Sequence, residues 1–194
     1  MKILYVRPSR SKGYLKISIL DGEEEMRLVV SEREYTEAGE PLPSDNLTRD
    51  AYILLARADM RYRAKLKALR VLEYADNSEN RLRSKLLAAK IDRDIAEETV
   101  REMVRLGYLS DTRQLRRLIE LAANRSLIGP RLIIPKLMAK GYKKKDISLV
   151  LSELASDGTV DFERSKAALI EKKCDGCSPE ETKKILYKNG YSVC

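Results

Sequence analysis

Apolar and polar residues partly alternate along three short segments near the N-terminus, each rich in β-branched or aromatic residues. These segments are Ile3–Val6, Tyr14–Leu20 and Met26–Val30. Gly13 and the pair Asp21-Gly22 lie between them, where hairpin turns are expected. The pattern predicts a small antiparallel β-sheet within residues 1–45. A sheet of this size needs a helix to cover one of its faces.

Apolar residues at helical spacing begin after the proline-containing segment Gly39–Pro43, which interrupts the chain. Ser44 or Asp45 is expected to cap the helix that follows. The helical pattern runs from about Leu47 to Tyr74 and predicts one long connecting helix, or two in tandem, within residues 46–75. Arginines and lysines occupy its other side, a pattern that favours a solvated helix face over a binding stripe.

The rest of the chain repeats itself with a period near 50 residues. Lys85–Ile91 matches Lys136–Tyr142 at an offset of 51 positions, and the same offset places Gly107 on Gly158. A third, weaker copy is Lys184–Tyr191. A period of this length indicates stacked helical units.

Each repeat is expected to contain about three helices and to end in a helix stopped by glycine. The repeats are assigned to residues 76–111, 112–161 and 162–194, the third being shortened. Tyr142 and Tyr191 follow capping glycines, so we expect core side chains there rather than platforms for base stacking. The predicted fold is mainly α, with tandem three-helix repeats and a small N-terminal antiparallel β-sheet. Within the second repeat, Pro135 predicts a kinked helix or a late helix start.

The composition favours a folded chain with a large charged surface. Of 194 residues, 43% are hydrophobic and 35% are charged. There is no run of about 18 apolar residues and no signal-peptide pattern at the N-terminus, so we expect a cytoplasmic protein without a membrane partner.

Cysteine and histidine usage limits the chemistry that the chain is expected to perform. The three cysteines, Cys174, Cys177 and Cys194, lie late in the sequence, and histidine is absent. The Cys174-Asp-Gly-Cys177 spacing resembles a metal or redox motif. A four-ligand zinc site cannot be completed by Cys and His alone, so we expect free thiols in a turn. Phosphate-binding glycine loops and nucleophile-elbow motifs are also absent. We therefore expect no catalytic residues, no metal, no cofactor and no enzymatic activity.

The net charge of +8 favours an acidic partner, because clustered cations release condensed counterions when they meet a phosphate backbone. Residues 21–50 are rich in acids, so the positive charge concentrates elsewhere. Lys143, Lys144 and Lys145 open the last helix of the second repeat, where the first repeat has Asp92-Arg-Asp94. Lysines at the positive end of a helix dipole cost roughly 0.3 kcal/mol or more each. Both an anion site and a solvated loop account for them.

Other cations in the second repeat extend this charge. Arg113, Arg116 and Arg117 are spaced i, i+3 and i+4, so they share one side of a helix. We define the candidate basic surface, expected to bind a protein partner or nucleic acid, as Arg113, Arg116, Arg117, Arg125, Arg131, Lys136, Lys140, Lys143, Lys144 and Lys145.

A set of degenerate motifs, in order and with consistent spacing, resembles the RecX family of RecA regulators. The set comprises Leu69-Arg-Val-Leu72, Ser78, Leu82, Leu86, Val100–Asp111, Gly129-Pro-Arg131 and Leu137–Tyr142. The resemblance implies an elongated, curved array of tandem three-helix repeats that lies in the groove of the RecA–DNA filament and restrains its activity. The chain departs from the family at Ala75 and Asn77, where arginine is common, and at Arg81, where glutamate is usual.

Together with this resemblance, the sequence predicts a monomeric, non-enzymatic protein that binds the RecA–DNA filament and modulates its recombinase and ATPase activity, with inhibition as the expected direction. Single- or double-stranded DNA is a further expected partner. Two alternatives remain open: a general DNA-binding helical-repeat protein, and an adaptor for an acidic protein.

Overall fold

A computed structural model describes residues 1–192 of the chain, which form three strands and nine α-helices. In chain order, the elements are β1 (Lys2–Pro8), β2 (Tyr14–Asp21), β3 (Glu24–Ser31), α1 (Glu32–Glu37), α2 (Arg49–Tyr74), α3 (Glu79–Ala88), α4 (Arg93–Arg105), α5 (Asp111–Glu120), α6 (Pro130–Ala139), α7 (Lys144–Ser156), α8 (Phe162–Lys173) and α9 (Pro179–Lys188). A π-helical turn, Leu121–Arg125, directly follows α5. The chain divides into two compact units, residues 1–71 with 86–102, and residues 72–85 with those from 103 onward.

The first unit contains the predicted sheet. Its strands are antiparallel in the order β1-β2-β3, which confirms the small N-terminal sheet. Ile17 and Ile19 of β2 are fully buried and pack with Leu55 and Ala58 of α2. The helix that covers the sheet, as expected, is therefore α2. It is one continuous helix rather than two in tandem.

A buried carboxylate joins this helix to the sheet. Asp59 of α2 accepts a hydrogen bond from the backbone N–H of Val29 (2.9 Å) and forms an ion pair with Arg63 (2.6 Å). Because both bonds compensate the buried charge, Asp59 fixes the position of α2 against β3.

The start of the helical region differs from the sequence prediction. Ser44 and Asp45 do not cap α2. The N–H of Ser44 bonds to the carbonyl of Ile3 (2.9 Å), and the N–H of Ile3 bonds to the carbonyl of Asp45 (3.1 Å), so both residues run beside β1. Thr48 caps α2 instead, since its hydroxyl accepts the N–H of Ala51 (3.2 Å).

Helix α1 was missed by the sequence prediction. Ser31 and Glu34 form a capping box, in which each side chain accepts the backbone N–H of the other residue. Arg61 of α2 also donates to Glu34 (2.8 Å), which ties the short helix to α2.

The second unit contains a three-helix core built from α5, α6 and α7. Its fully or nearly buried members are Leu115, Ile119, Ala123, Ile133, Leu137, Tyr142, Ile147, Val150, Leu151, Leu154 and Val160. Tyr142 is 5% exposed and donates its hydroxyl hydrogen bond to Gln114 (2.7 Å), which confirms its core role. Tyr191 is 4% exposed and packs with Leu169 and Leu186 of α8 and α9, so it too is a core residue.

The internal repeat of the sequence reappears in the way helices end. The N–H of Tyr142 bonds to the carbonyl of Leu137 (3.3 Å), and the N–H of Tyr191 bonds to that of Leu186 (3.1 Å). Gly141 and Gly190 precede the two tyrosines with φ of +91° and +87°, a backbone region that glycine adopts without strain. In the first repeat, Lys90 takes the corresponding position with φ of +60°.

Helix α6 begins at Pro130 and continues through Pro135, so the predicted late start is wrong. Proline at the first helical position is favourable because the missing N–H has no intrahelical partner there.

Cys194, the last residue of the predicted third repeat, lies outside the described residues.

Candidate interaction surface

Two helix-end joints organise the second unit, and each places the start of one helix against the end of a helix from the next repeat. In the first joint, Ser78 Oγ donates to the carbonyl of Lys140 (2.9 Å) and Asn80 Nδ2 donates to the carbonyl of Gly141 (3.0 Å). The contact is close, since a Cβ atom on Gly141 would lie 2.6 Å from Ser78 Oγ.

The second joint repeats this arrangement between α6 and α9 with backbone donors. The N–H of Gly129 bonds to the carbonyl of Asn189 (2.8 Å), and the N–H of Arg131 bonds to that of Gly190 (3.2 Å). Both joints satisfy carbonyls at a helix C-terminus, which otherwise lack partners. Within the described residues of the second unit, the same type of contact therefore occurs twice: donors at the start of one helix bind carbonyls at the end of another.

The three arginines of α5 make three different contacts. Arg113 donates to the carbonyl of Gly107 (3.0 Å). Arg116 pairs with Glu153 (3.2 Å) and Asp157 (3.0 Å) of α7 and its C-cap. Arg117 pairs with Asp76. Arg116, whose side chain is 39% exposed, holds α5 to α7 and is the least available of the three for a partner.

The three lysines at the start of α7 are all exposed, and their surroundings differ. Lys143 is the N-cap residue without a side-chain cap bond, while Lys144 and Lys145 begin the helix. Burial raises the pKa of nearby Asp111, and Glu79 and Asp146 raise it further. A backbone hydrogen bond from Glu79 and the charge of Lys143 act in the opposite direction. The positive charge of Lys143 thus offsets part of the negative charge of Asp111, Glu79 and Asp146.

Of the other cations of the candidate basic surface, Arg125 ends the π-helical turn after α5, and the rest lie on α6 or at its C-cap. The guanidinium of Arg131 lies 5.0 Å from the ring centroid of Tyr187, an exposed cation–π contact. Arg125 and Lys136 are exposed and have no ion pair within the described part of the chain.

A cavity of about 380 Å³ beside the first helix-end joint brings two of the candidate residues together. Arg117 and Lys140 both line it, and so do Arg81 and Lys85 of α3, which were not among the binding residues predicted from the sequence. Arg81 and Lys85 are spaced i, i+4, a signal that places them on one side of α3. No local pattern indicates that this side meets α5 and α6.

Cys174 and Cys177 are both free thiols. Cys174 is buried, and Cys177, partly exposed, has its pKa raised by burial and then by the neighbouring Cys174, Glu181 and Asp175. A raised pKa keeps the thiol protonated and less reactive.

Among residues 1–192, no group of three or more His, Cys, Asp or Glu side chains has the arrangement of a metal site. None of the described helices is both long and apolar enough to span a membrane.

These features define a class of protein: a mainly α-helical repeat protein that begins with a small sheet and presents basic residues at the helix ends of its second unit. No family model matches the chain.

Three curated relatives carry the same description, regulatory protein RecX. The one from Clostridioides difficile is 29% identical over 67% of this chain and 59% of its own length. The one from Trichlorobacter lovleyi is 34% identical over 59% of this chain and 73% of its own length. The one from Listeria innocua is 26% identical over 61% of this chain and 44% of its own length. The chain thus spans about half the length of two of these relatives and about three quarters of the third.

Two crystal structures share the fold. A regulatory protein RecX superimposes with a TM-score of 0.72 over 98% of this chain and 94% of that one, at 18% identity. The RecX of Lactobacillus salivarius gives a TM-score of 0.60 over 70% of this chain and 91% of that one, at 22% identity. The chain belongs to the RecX family, and its fold is the one that these structures share.

Proposed function

We propose that this protein is a non-enzymatic regulator that binds the RecA–DNA filament and inhibits its recombinase and ATPase activity. Family membership supports a regulatory role. The observation that carries the proposal is the helix-end joint that occurs twice in the second unit, at Ser78–Lys140 and at Gly129–Asn189. A filament offers identical sites at regular intervals, and a chain of repeated helical units can present matching contacts at regular intervals.

The charge of the protein supports a polyanionic partner. Exposed lysines and arginines meeting DNA phosphates release counterions, which favours association at low salt. We assign partner contacts to the candidate basic surface, with Arg116 contributing least because its guanidinium already binds two carboxylates. The protein acts as a monomer in the cytoplasm and takes part in DNA repair and recombination.

The single-stranded-DNA-dependent ATPase of RecA, measured with and without this protein, tests the proposal. We expect the rate of ATP hydrolysis to fall as the protein is added, and the effect to weaken as salt is raised. An unchanged ATPase at protein concentrations that saturate the filament contradicts the proposal.

A general DNA-binding function is the second candidate, since the net charge of +8 favours it as well. That function predicts equal affinity for bare and RecA-coated DNA, whereas a filament regulator binds the coated form more tightly.

A further inference from the structure

The cavity beside the first helix-end joint, which we call the α3–α5–α6 pocket, has a distinctive charge. Arg81 and Lys85 from α3, Arg117 from α5 and Lys140 after α6 line it, together with one carboxylate, that of Asp76. Four cationic side chains therefore surround a space of about 380 Å³ that contains a single acid.

The acid neutralises only part of this charge. Asp76 pairs with Arg117. Lys85 donates to the neutral amide oxygen of Asn77 (2.7 Å). Within the described part of the chain, Arg81 and Lys140 have no carboxylate partner. The pocket thus keeps a surplus of positive charge.

Neutral contacts bring the pocket cations of α3 and Lys140 together. The hydrogen bonds from Ser78 and Asn80 to the carbonyls of Lys140 and Gly141 hold the end of α6 against the start of α3. Like charges gathered in this way repel each other, so their proximity adds nothing to the stability of the free protein. An anion in the pocket converts that repulsion into attraction.

We propose that the α3–α5–α6 pocket binds a phosphate group of a DNA strand. Two guanidinium groups supply planar forks that match phosphate oxygens, and two ammonium groups supply point charges. The volume exceeds that of one phosphate and lies within the range of pockets for small molecules, so the attached sugar also has room. The inference rests on the DNA component of the proposed function.

Fluorescence anisotropy of a labelled oligothymidine strand measures the affinity of the protein for DNA. It tests the pocket when variants that remove its positive charges are compared with the wild type. The double variant Arg81→Gln with Lys140→Gln removes two pocket cations that form no ion pair with any residue of the described range 1–192. Arg164→Gln with Lys184→Gln removes the same charge from exposed positions outside it. We expect the pocket variant to lower the slope of log affinity against log salt by about 0.7, the value for one phosphate contact on a single strand, equivalent to a loss of roughly 5-fold in affinity at 0.1 M salt. Equal losses in both variants overturn the proposal.

The variant Asp76→Asn tests the pocket in the opposite direction. Removing this carboxylate releases Arg117 for the phosphate, so we expect tighter binding of the oligonucleotide. Glu171→Gln removes one exposed acid outside the pocket and serves as the matched control. The same change in affinity for the two variants contradicts the role of the pocket.

A titration with inorganic phosphate, followed by NMR signals of the arginine Nε–H groups, separates a strand phosphate from a free anion. Perturbed Arg81 and Arg117 signals support the phosphate site. If phosphate perturbs them while the pocket variant keeps its oligonucleotide affinity, the assignment to a DNA strand is wrong.

The RecA ATPase distinguishes this failure from failure of the proposed function. If the pocket variant binds the oligonucleotide like the wild type and the wild type still inhibits RecA, only the pocket assignment fails. If the pocket variant loses oligonucleotide affinity and the wild type does not inhibit RecA, the pocket stands and the proposed regulation fails.

Discussion

At the scale of single residues, Gly141 carries two requirements at once. Its φ of +91° favours glycine, and the missing side chain lets Ser78 Oγ approach the backbone. Gly107 has a similar φ of +76°, but a Cβ atom there meets no atom of the described residues within 4 Å. Alanine at Gly107 therefore adds only the free-energy cost of the left-handed backbone conformation, whereas alanine at Gly141 adds the cost of displacing Ser78 as well.

We expect Gly107→Ala to destabilise the protein by roughly 1–2 kcal/mol, the cost of a left-handed conformation for a residue with a Cβ atom. Gly141→Ala should cost more, because Ser78 must also move away from its hydrogen bond to Lys140. Denaturant unfolding of the two variants measures the difference. Equal destabilisation would show that the first helix-end joint contributes nothing to stability.

Tyr142 gives a second prediction at this scale. Replacing it with phenylalanine removes the hydroxyl that donates to the buried side chain of Gln114, so we expect a loss of about 1 kcal/mol at neutral pH. Thermal or denaturant unfolding at pH 7 checks this value. Tyr108→Phe, at a position where the ring is 57% exposed, should leave the stability unchanged.

The pH dependence of stability tests the same residue. Burial, and then the charge of Asp111, raise the pKa of Tyr142 from 10.0 to about 12. The folded state therefore keeps the proton in the range where the unfolded chain has lost it, and the free energy of unfolding should fall as the pH rises from 10.0 towards 12. Tyr142→Phe should lose this part of the decline. An unchanged alkaline decline in the variant would contradict the assignment.

At the scale of elements, the helix ends explain most of what the sequence could predict. Glycines after periodic apolar residues mark stops, and their regular recurrence revealed the repeat because backbone conformation at a helix end depends on a few adjacent residues. Helix α1 was predictable as well, since Ser31 and Glu34 have the spacing of a capping box. The expected cap at Ser44 failed because the long-range hydrogen bond to Ile3 decides the conformation there.

The start of α7 allows a test of how charge at a helix N-terminus affects stability. We expect Lys144→Glu with Lys145→Glu to leave the stability unchanged or to raise it, because acids suit the positive end of a helix dipole. Lys143→Glu should instead lower stability, since it places a new negative charge near Asp111, where Lys143 now compensates the acids. Melting temperatures of the two variants compare these effects. A large loss of stability in the double variant would refute the interpretation.

At the scale of the whole molecule, the sequence could predict the helical repeats but not the α3–α5–α6 pocket. Arg81 and Arg117 lie on helices that are separate in sequence, and long-range contacts bring them to one pocket: the ion pair of Asp76 with Arg117 and the docking of Ser78 on the carbonyl of Lys140. That contact depends on a polar side chain and a backbone carbonyl, which leave no hydrophobic periodicity to detect. The same limit applies to Arg116, whose engagement with Glu153 cannot be read from its position on α5.

The preference of the protein for coated over bare DNA is the sharpest test of the proposed function. Its affinity is measured for one single-stranded oligonucleotide, first alone and then covered with RecA, at the same salt concentration. A filament regulator binds the covered strand more tightly, because it adds contacts with RecA to those with phosphate. Equal affinity for the two forms, or tighter binding to the bare strand, contradicts the proposed function.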